Sequence, residues 1–177
     1  MSLLSGLEFI SGHRQYLLEH DLNRLPQEFV NRIGELSSGA LAADVMTGLR
    51  IAEVMYQEAE EYAWVLSDQV LVSATSIVRA KVKEGVRFRS IFPERFTPPP
   101  GYTPSPGVDR RTLPEVNMRI MVTEKMALVC FPYHNGSIDY APFHGRDPRF
   151  LRWVKDLYEH HWVNAKPSSS TLLTPDT

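Results

Sequence analysis

The chain has 177 residues, of which 43% are hydrophobic and 23% charged, values that exclude a fibrous repeat or a wholly disordered protein. Lys and Arg number 19 against 21 Asp and Glu, a net charge of -2, so the chain as a whole offers no basic footprint for nucleic-acid phosphates. No apolar run approaches the roughly 18 residues of a membrane span, and the N-terminus lacks the basic-then-apolar form of a signal peptide; a cytoplasmic domain with no membrane partner is expected.

Taken in chain order, Leu7, Phe9, Ile10, Tyr16, Leu17 and Leu18 predict a helix from Leu4 to His20 that needs a partner for one face. The stretch His20 to Pro26 breaks it, and Pro26 opens a short helix through Phe29, Val30 and Ile33 that ends at Gly34 or Gly39. Asp44 is placed to cap a longer helix whose stripe is Val45, Leu49, Ala52, Met55, Tyr56 and Ala59.

The next stretch reads as strand, helix, strand: Ala63–Leu66, an amphipathic Val70–Lys83, and the alternating Val86–Phe92. Gly85 is suited to the turn between helix and second strand, and the unit predicts a parallel crossover. From Phe92 to Gly107 the chain is too rich in Pro and Gly for regular structure, which makes it a long loop, either a lid over a pocket (97–107) or a spacer.

Val116–Val122 and Met126–Phe131 predict two strands of a hairpin turned by Thr123-Glu124-Lys125, so the sheet is expected to be mixed. Asn135-Gly136 marks a turn, and Ser137–Ala141 is a candidate edge segment. Asp147-Pro148 starts a final helix with Phe150, Leu151, Val154, Leu157 and Tyr158 facing the sheet, and Lys166-Pro167 ends it before a polar tail. The expected organisation is an N-terminal connector and helical region (1–60), an α/β domain (61–165) and a tail (166–177).

Chemistry-bearing motifs are sparse. Cys130 is the single cysteine and sits in an apolar run, which predicts a buried, inert thiol. The histidines show no metal-ligand spacing, and Ser67-Asp68-Gln69 lacks the glycines of a phosphate-binding loop, so neither metal nor cofactor is expected. His144-Gly145-Arg146-Asp147 at the start of the last helix could attract an anion, or serve only as its cap.

The ordered residues His20-Asp21-Leu22, Leu25-Pro26, Gly34-Glu35-Leu36, Asn135-Gly136-Ser137-Ile138-Asp139 and the helix from Trp153 to His161 resemble the effector half of the archaeal methanogenesis-type winged-helix transcriptional regulators. The resemblance spans most of residues 15–165. It implies ligand sensing and a homodimer, with DNA contacted only through a winged helix that this sequence does not contain. Such regulators are also distantly similar to half of a phospholipase D-type domain, whose His-x-Lys pair is followed four residues later by Asp. Here Thr123-Glu124-Lys125 and Cys130 stand at those positions. The missing nucleophile implies a domain that is not an enzyme, against the alternatives of a small phosphodiesterase-like hydrolase and a structural interaction module without a pocket.

A pocket for a small, polar or anionic effector is therefore expected between the C-terminal ends of the central strands, the 97–107 loop and the start of the last helix. Trp64, Phe92, Tyr102 and Tyr133 would supply its apolar walls, and Lys125, His144 and Arg146 its polar groups.

Overall fold

The computed structural model describes residues 3–168. The chain opens with α1 (Leu3–Gly12), α2 (Arg14–Glu19), α3 (Gln27–Asn31) and a 3-10 turn over Ile33–Ser38. It continues through β1 (Ala40–Leu41), α4 (Val45–Glu58), β2 (Tyr62–Leu66), α5 (Thr75–Lys83) and β3 (Arg87–Pro93). β4 (Val108–Leu113), β5 (Arg119–Thr123), β6 (Ala127–Cys130), β7 (Phe143–Gly145), α6 (Pro148–Asn164) and β8 (Lys166–Pro167) follow.

The strands form one eight-stranded mixed sheet in the order β1-β7-β6-β5-β2-β3-β4-β8. β2, β3 and β4 are parallel, and the other neighbours pair antiparallel. The expected α/β fold, a mixed sheet with flanking helices preceded by N-terminal helices, is the one observed.

Side chains alternate across strands, so the sheet has two apolar faces and each needs a cover. Trp64, Leu66, Ile91, Ile120, Val122 and Val129 point to the face under α6, where Phe9, Leu25, Phe29 and Leu36 of the N-terminal segment join the same core. Ala63, Phe88, Met121, Leu128 and Cys130 point to the other face and pack with Ala52, Met55 and Tyr56 of α4 and Ala74 at the start of α5. On α6, Trp153, Val154, Leu157 and Tyr158 are fully buried, each contributing about 1.5–3 kcal/mol through removal of apolar surface from water.

The helix ends follow the sequence. The Asp44 carboxylate accepts from Thr47 N at 2.7 Å, and Asp147 accepts from Arg149 N at 2.9 Å with Pro148 in the first turn. Gly85 closes the α5 connection at φ +96°, a conformation in which a Cβ would be strained.

Several boundaries depart from expectation. The first helix divides at His13, and its two halves are anchored differently: Phe9 packs 5.5 Å from Phe143, while Tyr16 is buried against His20 at 3.6 Å. Leu7 and Ile10 stay exposed. The segment 108–113, between the expected loop and the expected Val116–Val122 strand and assigned to neither, is the parallel strand β4, held by six residue pairs to β3. Ser137–Ala141 contributes only the bridge Pro132↔Ile138, and the strand beyond β6 begins two residues after it as β7. Lys166-Pro167 ends the helix as expected but also pairs with β4. Most of the polar tail lies outside the described residues.

Candidate ligand pocket

Val65 of β2, Ser90 of β3 and Arg110 of β4 occupy one row across the three parallel strands. All three point to the α5 face, together with Phe88 and Phe92 of β3 and Arg119 of β5, and all line one cavity of about 70 Å³. Tyr56 of α4 and Ala74, Thr75 and Val78 around the start of α5 form its roof. Tyr102 and Ser105 of the Pro-rich connection wall its outer side. One water needs only about 10–15 Å³ of such space, so the cavity has room for a small molecule or the head group of a larger one.

Its polar atoms are under-satisfied. Arg119 Nε, Arg110 Nε, Ser90 Oγ and Thr75 Oγ1 are buried without a hydrogen-bond partner among the described residues. Arg119 is 6% exposed, Ser90 8%. Arg110 is tied down on one side: Nη2 donates to the Ser105 carbonyl at 2.6 Å and Nη1 to the Val108 carbonyl at 3.3 Å. Burial pushes the Tyr56 hydroxyl up, and Arg119 opposes that shift through its charge.

Arg119 also borders a second cavity of about 120 Å³, with Val45, Leu49, Ser67 and Tyr140 on its far side. There the Tyr140 hydroxyl donates to Asp68 at 2.5 Å. Cys130, cross-strand from Arg119, is 1% exposed, and burial raises its thiol to about 12. It is inert at neutral pH.

Of the residues singled out from sequence, Phe92 and Tyr102 line the 70 Å³ cavity. Trp64 lies on the opposite face, stacked 5.5 Å from Tyr158 with the Arg89 guanidinium 4.6 Å over its ring. Lys125 pairs with Glu60 at 2.5 Å and Arg146 with Glu58 at 2.6 Å. His144 sits in β7 between Ala40 and Leu128, where desolvation lowers its pKa. Tyr133 packs on His20, 4.6 Å between centroids. These five are not brought to the cavity.

Ser90, Thr75, Arg110 and Arg119 were not singled out by sequence. The signal was present for Arg119: it is the one cation inside Val116–Val122, a run apolar enough to be buried on both faces. A further pair joins distant parts of the chain. His20, 3% exposed, places Nε2 2.9 Å from Asp139 Oδ2 and Nδ1 2.7 Å from the Tyr16 carbonyl oxygen. At the β5–β6 hairpin, Glu124 accepts from the backbone N–H groups of Glu60 and Tyr62, and Thr123 Oγ1 accepts from those of Lys125 and Met126. Among the described residues no cluster of His, Cys, Asp and Glu could hold a metal ion, and no helix is long and apolar enough to cross a membrane.

No protein-family model matches the chain, and no curated protein does. Solved structures do share its fold. TrmBL2, an archaeal chromatin protein that binds DNA, superposes with a TM-score of 0.59 at 11% identity over 74% of this chain. The chain spans 54% of TrmBL2. NucT from Helicobacter pylori gives 0.57 at 8% identity, covering 74% of this chain and 98% of NucT. Nuc from Salmonella typhimurium, a phospholipase D family member, gives 0.53 at 11% identity, covering 68% of this chain and 90% of Nuc. The fold is phospholipase D-like. The expectation that the chain is not an enzyme is corrected by this likeness: Nuc belongs to an enzyme family, so the lack of a His-x-Lys pair at the hairpin does not by itself remove catalysis from a fold that enzymes and a DNA-binding protein share.

Proposed function

We propose that this domain senses a small molecule on behalf of a transcriptional regulator, as the effector half of a protein of the archaeal methanogenesis type. The observation that carries this reading is the α5-face cavity, walled by a Pro-rich loop and lined by buried polar atoms without partners among the described residues. A buried, unsatisfied donor forfeits its hydration, about 1–3 kcal/mol for each group, unless something occupies the site. Arg110 supplies a route for signalling, because its guanidinium both lines the cavity and holds the loop through the Ser105 carbonyl. The likeness to TrmBL2 supports the regulatory setting. With a net charge of -2, DNA contact belongs to a separate winged-helix domain rather than to this surface. The regulator acts as a homodimer.

The test is native mass spectrometry of the protein purified under mild conditions. A small molecule is expected to accompany the folded chain and to be lost in Tyr102→Ala, which opens the outer wall. Retention of that molecule in Tyr102→Ala places it elsewhere and rejects the cavity as the sensing site.

A second reading, phosphodiester hydrolysis, is favoured by the likeness to Nuc. It predicts turnover of a generic phosphodiester that follows the folded protein through purification and disappears in Lys125→Ala. The same preparation serves both measurements.

A further inference from the structure

We infer that the α5-face cavity takes an oxyanion, the carboxylate or phosphate group of a small molecule, with the Arg119 guanidinium as its main partner. The inference rests on the sensing reading and specifies the ligand's charge and anchor.

Several arginines of this protein are matched by carboxylates. Arg32 holds Glu35 and Asp156, Arg89 holds Glu159, Arg146 holds Glu58 and Arg24 holds Asp21. Arg119 differs. It is the most deeply buried arginine of the chain at 6% exposure, and among the described residues it makes neither an ion pair nor a hydrogen bond through its side chain. A guanidinium does not relieve burial by losing its proton, so its charge must be met by an anion or remain uncompensated.

Asp68 is engaged by the Tyr140 hydroxyl at 2.5 Å and, among the described residues, forms no ion pair with Arg119. The other partnerless atoms on the cavity wall have the complementary chemistry. Ser90 Oγ and Thr75 Oγ1 can each donate a hydrogen bond, and so can the Arg110 Nε–H. Ala74 and Thr75 at the start of α5 both face the cavity, but their backbone N–H groups are taken by the Leu71 and Val72 carbonyls of the preceding 3-10 turn, so the side chains carry the polar character. Four donor side chains, two of them cationic, therefore converge on one space with no acidic residue lining it. Phe88, Phe92 and Tyr56 leave apolar wall for the body of the ligand.

The experiment is an NMR titration of the 15N-labelled protein that follows the Arg119 Nε–H signal, with inorganic phosphate, acetate and the neutral acetamide as probes. Phosphate or acetate is expected to shift that signal saturably, together with the Thr75 and Ser90 amides, while acetamide leaves it in place. Whichever of the two anions binds more tightly identifies the head group. Arg119→Met should weaken that binding at least tenfold, and Arg119→Lys, which keeps the charge, should weaken it less. Equal response to acetamide, or no Arg119 response to either anion, overturns the inference without any variant. If a neutral molecule co-purifies in the cavity while both anions fail, the sensing reading survives and the oxyanion assignment falls. If nothing co-purifies and no probe binds, both fall.

Discussion

Burial holds the His161 imidazole down at about 4, with the neighbouring His160 adding to the effect through its charge, and Nε2 has no partner among the described residues. An unfolded histidine takes up its proton near 6.5. Between these two values the unfolded chain binds one proton more than the folded one, so stability is complete above about 6.5 and declines as pH falls towards 4. His144, also lowered by desolvation, acts with the same sign. Urea unfolding at pH 7, 6 and 5 should show stability falling by up to about 1.4 kcal/mol per pH unit for the His161 proton. In His161→Phe the slope should be shallower; an unchanged slope would mean that His161 is solvated in the folded chain. The residue scale is also where sequence reading was weakest. The cations it chose for the pocket, Lys125 and Arg146, are matched to Glu60 and Glu58, partners 65 and 88 positions away that only the folded chain reveals. Arg119 lay inside a hydrophobic run, and its lack of a partner is a property of three dimensions.

Among the elements, α6 carries the largest share of one core. Trp153 is fully buried, donates from Nε1 to the Phe29 carbonyl at 3.1 Å, and meets the Phe29 ring edge-on at 5.7 Å. It thereby joins the last helix to the N-terminal segment as well as to the sheet. Trp153→Ala should cost about 3–5 kcal/mol through the cavity it leaves and the carbonyl it strands. The urea midpoint should drop while the slope with denaturant stays constant, since the same surface is exposed on unfolding. Elements of this kind were readable beforehand. The cap Asp147, the first-turn proline and the stripe from Phe150 to Tyr158 specify α6, and alternation specifies β3 and the β5–β6 hairpin. β4 was not readable. A strand next to the sheet margin, most of whose residues are partly exposed, tolerates Asp109, Arg110 and Arg111, and its parallel partner lies across a long loop with no hairpin turn to announce it.

For the whole molecule, the mixed sheet and its flanking helices were legible because periodicity encodes which side of an element is dry. Of the cavity lining, Phe92 and Tyr102 were legible, while the β4 part of its floor and the roof from α4 and α5 required the packing of the folded chain. The proposed homodimer is argued from α1, where Leu7 is 56% and Ile10 48% exposed on a helix whose Phe9 is buried, and from the prevalence of twofold symmetry in oligomers. Sedimentation equilibrium at micromolar concentration should give a dimer, and Leu7→Asp a monomer with unaltered thermal stability. A wild-type monomer would reject the assembly. The form of the sheet limits how two copies can meet. Its outer members, β1 and β8, are dipeptides, and β8 includes Pro167, which has no N–H to offer. A long open edge would act as a template on which further chains could polymerise strand by strand. Among the described residues each outermost strand offers a ladder only two residues long, a poor template for strand-by-strand growth.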